Sequence, residues 1–491
     1  MISIKNDKQK NMEKLIFIFT FILINYNANS QTINVSLSVP TTPFQDADVG
    51  SMAFADIDND NDQDLLITGK GGPVKTTLYL NDGFGNFNEA TGTPFVNVYS
   101  GTVGFGHVNN DNFIDLYITG TTGGGTRTSN LYINNGNGTF SITTSPFPNS
   151  NGGSFAFEDI DNDNDKDVII TGITGSVSGV GFTKLYTNNG SGIFSEVLST
   201  PFDQLSNSSV VFIDVENDGD KDIILAGKDS NNINLTKMYL NNGSGVFTAS
   251  FLSSFVGISG GDLAVADSDN DGDMDVIVNG SSSQGSQGWI TKLYNNNGSG
   301  IFTEVTTTPF IGTISGAVEF ADFDNDGDKD VIVLGARIGN PSAMCKIYQN
   351  QGNNSFVESN DLIATYIASL AIADIDNDTD LDFIIGGTHF TPPTSNPKLY
   401  INNLNSPLGA LDFYNRFDVS YFPNPTKDFV NLKTVNSIEK ITVFNILGEV
   451  VWSKVVNEQS YKMDISKLSA STYYIKLENK GQTQTIKLLK L

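Results

Sequence analysis

Cysteine is all but missing from this sequence. Cys345 stands alone among 491 residues, so no intrachain disulfide can staple the chain and no cysteine-based zinc site is encoded. A lone thiol of this kind is expected to be a small buried apolar residue. Histidine occurs only as His107 and His389. Neither belongs to a nucleophile–base pairing of the hydrolase kind, and both are expected to be structural. Basic residues are scarce, 28 against 55 acidic, for a formal net charge of −27; nucleic acid repels such a chain. Long apolar runs are missing too. The run 15–24 is about half the roughly 20 residues a membrane-spanning helix needs, so no transmembrane span is expected.

That short run reads as the core of a secretory leader. Lys5, Lys8, Lys10 and Lys14 precede it, and Ala28-Asn29-Ser30 places small residues before Gln31. Residues 1–30 are therefore expected to be a signal peptide, with Met12 an alternative start.

What is present is a repeat. Copies of one nine-residue stretch, Asp-x-Asp-x-Asp-x-x-x-Asp followed by apolar residues, begin at Asp56, His107, Asp159, Asp214, Asp267, Asp322 and Asp374. The spacing of 51 to 55 residues is that of a repeat architecture. These stretches hold 32 of the 55 carboxylates, so the acidity is concentrated and the rest of the chain is slightly basic.

One copy shows the unit. An apolar segment at 263–266 precedes the acidic loop 267–275, and Val276-Ile277-Val278 follows, the pattern of a strand buried on both faces. Thr291-Lys292-Leu293-Tyr294 reads as a third strand. Asn296-Asn297-Gly298-Ser299-Gly300 supplies turn residues that tolerate positive φ, and 301–305 forms a fourth strand. Four short antiparallel strands per repeat predict an all-β fold, a seven-bladed β-propeller. The last repeat lacks its fourth strand. The segment 33–37, followed by Thr42-Pro43-Phe44 like Thr308-Pro309-Phe310, is expected to supply it and close the ring. The recurring tyrosines (Tyr79, Tyr132, Tyr186, Tyr239, Tyr294, Tyr348, Tyr400) and phenylalanines (Phe87, Phe140, Phe194, Phe247, Phe302, Phe356) read as core between blades rather than as a sugar-stacking surface.

The loops are suited to calcium, which takes six to eight oxygens from carboxylates, carbonyls and water. In a tight loop positions 1, 3 and 5 converge, position 7 offers its carbonyl and position 9 closes the cage. The predicted ligands are Asp56, Asp58, Asp60, Asp62 and Asp64; Asp159, Asp161, Asp163, Asp165 and Asp167; Asp214, Glu216, Asp218, Asp220 and Asp222; Asp267, Asp269, Asp271, Asp273 and Asp275; Asp322, Asp324, Asp326, Asp328 and Asp330; and Asp374, Asp376, Asp378, Asp380 and Asp382. Five carboxylates in nine residues repel one another without a cation. About six ions are expected, because the copy from His107 to Asp115 has lost the carboxylates at positions 1 and 3 and should be weak or empty. Position 6 must turn sharply: Gly219, Gly272 and Gly327 suit it, as do Asn61, Asn112 and Asn164, whereas Thr379 is β-branched and strained there. Glu216 is one methylene longer than its counterparts and is expected to bind through water.

This pattern resembles the FG-GAP/VCBS repeat family, known from the propeller of integrin α-subunits, over residues 31–405. The resemblance implies calcium between the first and second strands of a blade and partner binding on the opposite face. By that analogy the binding face comprises 69–75, 120–128, 172–182, 280–289, 335–342 and 387–397, with Trp289, Phe182, Arg127, Arg337 and Phe390 prominent in it.

Beyond a linker at 406–417, residues 418–491 hold seven acidic and ten basic residues. About seven short strands there predict a small immunoglobulin-like β-sandwich. Phe422-Pro423-Asn424-Pro425, Gly448-Glu449-Val450-Val451, Asp464-Ile465-Ser466-Lys467-Leu468, Tyr473-Tyr474-Ile475 and Lys487-Leu488-Leu489-Lys490-Leu491 together resemble the C-terminal sorting domain of type IX secretion (Por) cargo. Ser471-Thr472 stands where that family carries Gly. The resemblance implies recognition by the outer-membrane translocon, and a secreted or outer-membrane surface location in a Gram-negative bacterium. The expected function is a secreted, calcium-binding surface binding or adhesion module for a protein or glycan ligand, not an enzyme. The alternative is an extracellular polysaccharide-degrading lyase or hydrolase on a calcium-loaded propeller.

Overall fold

A computed structural model describes residues 33, 35–38, 44–175, 179–282, 288–338, 342–389, 395–404, 419–422, 424, 426–445, 448–479 and 482–490. The leader at 1–30, Thr42-Pro43, the linker 406–417 and Phe390 lie outside the described residues. Two compact units divide the chain, Met1–Asn405 and Ser406–Leu491, and every described element is a strand.

In the repeat region Ile258–Ala266 pairs antiparallel with Asp275–Ser282, that strand with Trp289–Asn295, and that in turn with Thr303–Glu304. Val276, Ile277 and Val278 are fully buried, as a continuous apolar run between two packed faces requires. The same ladder recurs in units opened by Met52–Ala55, Val103–Gly106, Phe155–Glu158, Ser206–Ile213 and Val318–Ala321. First strands of successive units lie side by side. Phe155 and Phe157 seat their rings over Gly104 and Gly106, where an added Cβ would stand 2.8 Å from ring carbon.

Phe356–Ala373 is a single 18-residue strand. It ends one unit and opens the next, because no Pro-Phe connector interrupts it. Asp382–His389 and Lys398–Asn402 follow, and Val35–Ser38 pairs with Lys398–Asn402, with Val35 opposite Asn402. Asn377 Nδ2 donates to Asp62 Oδ1 at 2.7 Å, and Ala47 N to Ser395 O at 2.9 Å. The ring is closed, and the fold is a β-propeller.

A buried latch joins each unit to the one before it. Every second strand opens on the position-9 aspartate: Asp64, Asp115, Asp167, Asp222, Asp275, Asp330 or Asp382. One oxygen accepts the N–H of position 2, as Asp222 Oδ2 does from Val215 at 3.0 Å; the other accepts the N–H of an asparagine at the end of the third strand, Asn241 at 2.7 Å. That asparagine's amide then crosses to the preceding unit, where Asn241 Nδ2 donates to Ile160 O at 2.8 Å. Asn81, Asn134, Asn188, Asn296, Asn350 and Asn402 do the same to Ile375, Ile57, Val108, Val215, Ser268 and Phe323. Burial makes these bonds obligatory, since a lone buried partner loses its solvation without compensation.

The recurring aromatics are core. The connector phenylalanine packs edge-on against the tyrosine of the third strand and beside the phenylalanine of the fourth: Phe95 lies 5.2 Å from Tyr132 and 5.1 Å from Phe140, and Phe202 5.0 Å from Tyr239. Tyrosine hydroxyls accept connector N–H groups, as Tyr132 Oη does from Val96 at 2.9 Å. Cys345 is buried among Phe323, Leu334 and Phe383, and burial pushes its thiol up.

The C-terminal unit departs from its predicted strand plan. Where short separate strands were expected, Phe429–Phe444 and Val450–Asp464 each run as one long strand. With Val419–Phe422, Ser471–Asn479 and Gln482–Lys490 they form one hydrogen-bonded network of five strands among the described residues, Phe429–Phe444 pairing with Val419–Phe422 at one end and with Ser471–Asn479 at the other. Irregularities between Lys433 and Ile438 absorb the bend. Val430, Leu432, Ile441, Val443, Ile475, Leu477 and Leu488 fill its core. Asn424 clips the last strand, accepting from Leu489 N at 2.8 Å and donating to Lys487 O at 3.1 Å.

Asn241→Ala keeps the main-chain N–H bond to Asp222 but removes the amide's bonds to Ile160 O and Lys221 O and the one its oxygen accepts from Asn242 N. It should lower stability by about 2–3 kcal/mol, seen as a reduced melting temperature, while Ser244→Ala on the adjoining exposed turn leaves the melting curve in place.

Candidate functional site

The acidic loops share one internal geometry. In six of them the position-1 carboxylate accepts the N–H of position 5 through one oxygen and of position 6 through the other; for Asp267 these are Asp271 at 3.1 Å and Gly272 at 3.0 Å. The position-5 carboxylate accepts from position 7, as Asp271 does from Asp273 at 3.0 Å. Backbone donors thus aim the carboxylates inward.

Position 6 turns as expected in Asn61 (φ 71), Asn164 (φ 70), Gly219, Gly272, Gly327 and, against its preference, Thr379 (φ 75). Asn112 has no positive φ. Position 4 was not foreseen as a turn. Asn59, Asn110, Asn162, Asn217, Asn270, Asn325 and Asn377 all sit at φ between 55 and 63, and all but Asn59 reach the position-7 aspartate of the next loop, as Asn325 reaches Asp380 at 2.7 Å. Asn59 bonds Asn112 O instead, because Phe113 occupies position 7 of that loop. An asparagine at position 4 in every copy was the signal.

Five loops bring three carboxylate oxygens within 4.8 Å of one another: Asp56, Asp58 and Asp60; Asp159, Asp161 and Asp167; Asp267, Asp269 and Asp271; Asp322, Asp324 and Asp330; and Asp374, Asp376 and Asp382. Asp214, Glu216, Asp218 and Asp222 form no such group among the described residues, and Glu216 is the residue that differs. The position-7 aspartates Asp62, Asp165, Asp220, Asp273, Asp328 and Asp380 stay outside the groups and take the inter-loop bonds. In the copy at 107–115, His107 Nδ1 lies 3.2 Å from Phe113 O and Asn109 Nδ2 donates to Asp111 at 2.9 Å, so side-chain bonds hold the loop.

The oxygens are short of donors. Oδ1 of Asp161, Asp269, Asp324 and Asp376, all at position 3, is buried with no hydrogen-bond partner among the described residues. Burial, then the neighbouring carboxylates, pushes Asp58, Asp161, Asp269, Asp324 and Asp376 above the usual carboxylate range. At position 9 burial dominates over two stabilising N–H bonds, raising Asp64 and Asp167 to about 7, Asp222 and Asp275 to about 6, and Asp330 and Asp382 to about 8. A bound divalent cation supplies what these orphaned oxygens lack, and the clusters fit one.

The inner wall carries a second acidic feature that the sequence had concealed. On adjacent first strands, Asp262 accepts from Ser209 Oγ at 3.0 Å and from Leu263 N at 2.9 Å. Glu319 is reached by water but hemmed in by protein; loss of solvation, then Asp262, raises it to about 7. Asp262 is raised chiefly by burial. On the face opposite the acidic loops, Phe182 is buried against Val168 and Tyr186 and is no surface anchor. Arg127 donates to Asn151 Oδ1 at 2.8 Å and to Gly175 O. Trp289 is half-buried.

These features define the class as a closed β-propeller with acidic loops that can hold cations, followed by a separate β domain. Family profiles then place the chain: FG-GAP-like repeats match residues 107–170, 214–278 and 281–333, and a secretion system C-terminal sorting domain matches 420–490. The chain carries both, and it is a secreted or cell-surface protein exported by type IX secretion. No curated protein matches it. Similar solved structures include AofleA from Arthrobotrys oligospora (10% identity, 68% of this chain and 92% of that one, TM-score 0.36). Trypanosoma rangeli sialidase in complex with sialic acid is another (10%, 92% and 88%, TM-score 0.37), and a variant of Aleuria aurantia lectin a third (8%, 64% and 96%, TM-score 0.35). Likeness at this level decides nothing about activity.

Two outcomes are expected. Thr379→Gly relieves a β-branched residue of positive φ and should stabilise the protein by about 1 kcal/mol, read as a raised melting temperature. The Glu319 carboxyl sits higher in the folded chain than in the unfolded one, so its contribution is favourable at low pH and is lost as pH rises through about 7. Glu319→Gln should therefore melt above the parent at pH 8 and level with it at pH 4.

Proposed function

We propose that the protein is a calcium-stabilised binding or adhesion module displayed outside the cell. The observation that carries the metal is the set of orphaned position-3 oxygens, buried acceptors with no donor among the described residues. The all-oxygen donor set, with carboxylates held by backbone N–H bonds, suits calcium better than magnesium, which demands stricter octahedral geometry and keeps its waters. Each ion would clip the crossing from first to second strand, next to the latch, leaving the loops between second and third strands for recognition of a protein or glycan.

Calcium binds only the native arrangement, so excess chelator should lower the melting temperature and added calcium restore it; a melting curve indifferent to chelator defeats the metal assignment. Asp376→Asn should reduce bound calcium by about one ion per chain, read by native mass spectrometry. For the ligand, retention on protein or glycan arrays without turnover is the expected result.

A second reading, a polysaccharide-degrading enzyme, draws on Asp262 and Glu319, two carboxyls of raised pKa on neighbouring strands, as acid–base pairs require. New reducing ends or unsaturated products from polysaccharides, abolished in Glu319→Gln, would favour it over the binding module.

A further inference from the structure

In each unit the turn between third and fourth strands lies over the acidic loop of the unit before it. Where the turn at Gly192 faces the loop at Asn109, a cavity of about 620 Å³ opens, lined by Ile133, Thr143, Thr144, Ser145, Pro146 and Ser191 among others, with no charged residue in its wall. In a chain of net charge −27 such a neutral groove is a local exception, and its size is that of small-molecule sites.

Two departures from the repeat meet there. Asn109 stands where the other loops carry a carboxylate at position 3. The connector from Phe140 to Phe147 is also one residue shorter than those from Phe87 to Phe95, Phe194 to Phe202, Phe247 to Phe255 and Phe302 to Phe310. A full-length connector can close the equivalent space. Ser253 Oγ donates to Gly300 O at 3.0 Å and accepts from Phe302 N at 2.7 Å, and Leu252 comes within 3.8 Å of a Cβ built on Gly300. Thr143, Thr144, Ser145 and Ser191, by contrast, spend their hydroxyls on no hydrogen bond within the described protein. Beside them Ile193 stands 62% exposed, an apolar wall without a cover.

Unspent hydroxyls around an aliphatic wall, with no charge, match a ligand that has many hydroxyls, an apolar C–H face and no charge of its own. We propose that this groove binds a neutral hexopyranose residue of an uncharged glycan, an inference that rests on the binding-module reading. The hydroxyls and the Asn109 amide would meet sugar hydroxyls, and Ile193 and Pro146 the C–H face.

The test is saturation-transfer NMR and calorimetry on the full chain with glucose, galactose and mannose, their neutral oligosaccharides, and glucuronate as charged control, alongside protein and glycan arrays. At least one neutral sugar should bind and glucuronate should not. Ser145→Phe, which fills the groove, and Ile193→Asp, an exposed change that leaves folding intact, should each weaken binding roughly tenfold or more at unchanged melting temperature. Absence of binding by every neutral sugar, or equal binding by Ile193→Asp, overturns the proposal. Array retention that both variants preserve overturns the groove while sparing the binding module; no retention of any kind overturns both.

Discussion

One buried arrangement underlies the ring: a carboxylate that holds two backbone N–H groups of its own unit, and an asparagine that carries the connection to the unit before. Neither half is stable alone. The aspartate is buried at a cost that its donors only partly offset, and the asparagine amide has no solvent to fall back on. Because each unit supplies the asparagine for one seam and the carbonyl for the next, the seams depend on one another around the closed circle. This replaces the disulfides that an extracellular chain with one cysteine cannot form.

The same aspartate also belongs to the cation clusters of three loops, so scaffold and candidate metal site are one device. Cation binding neutralises carboxylates that burial has made reluctant to ionise, and the carboxylates stay buried because the seam needs them. Recognition is best placed elsewhere, at positions that escape the repeat. The groove beside Asn109, the inner-wall pair Asp262 and Glu319, and the irregular loops are such positions.

Much of this was legible. Loop spacing, apolar second strands and the incomplete last repeat foretold a closed all-β ring, since each follows from local pattern. Asn241 and its counterparts were visible as turn residues, but their amides act across a seam about 80 residues away in sequence, and no local pattern reports that. The acidic motif concealed a division of labour in which position 7 bonds the neighbouring loop while positions 1 and 3 converge in the carboxylate clusters. Phe182 read as a surface anchor because it follows a glycine-rich loop; pairing opposite Gly172 turns it inward. In the C-terminal unit, Lys433 to Ile438 looked like a break between strands, whereas the backbone bends through it without losing the ladder.

The strand Val35–Ser38 has a mechanical meaning. Four described residues pair with Lys398–Asn402, a ladder as short as those of the fourth strands in other units. In a protein fixed at one end and pulled by a ligand, tension entering from the N-terminal side loads this short edge first. The last unit is thus built from both ends of the propeller region, and peeling Val35–Ser38 away would still leave the latch from Asn81 to Ile375 joining it to the first unit.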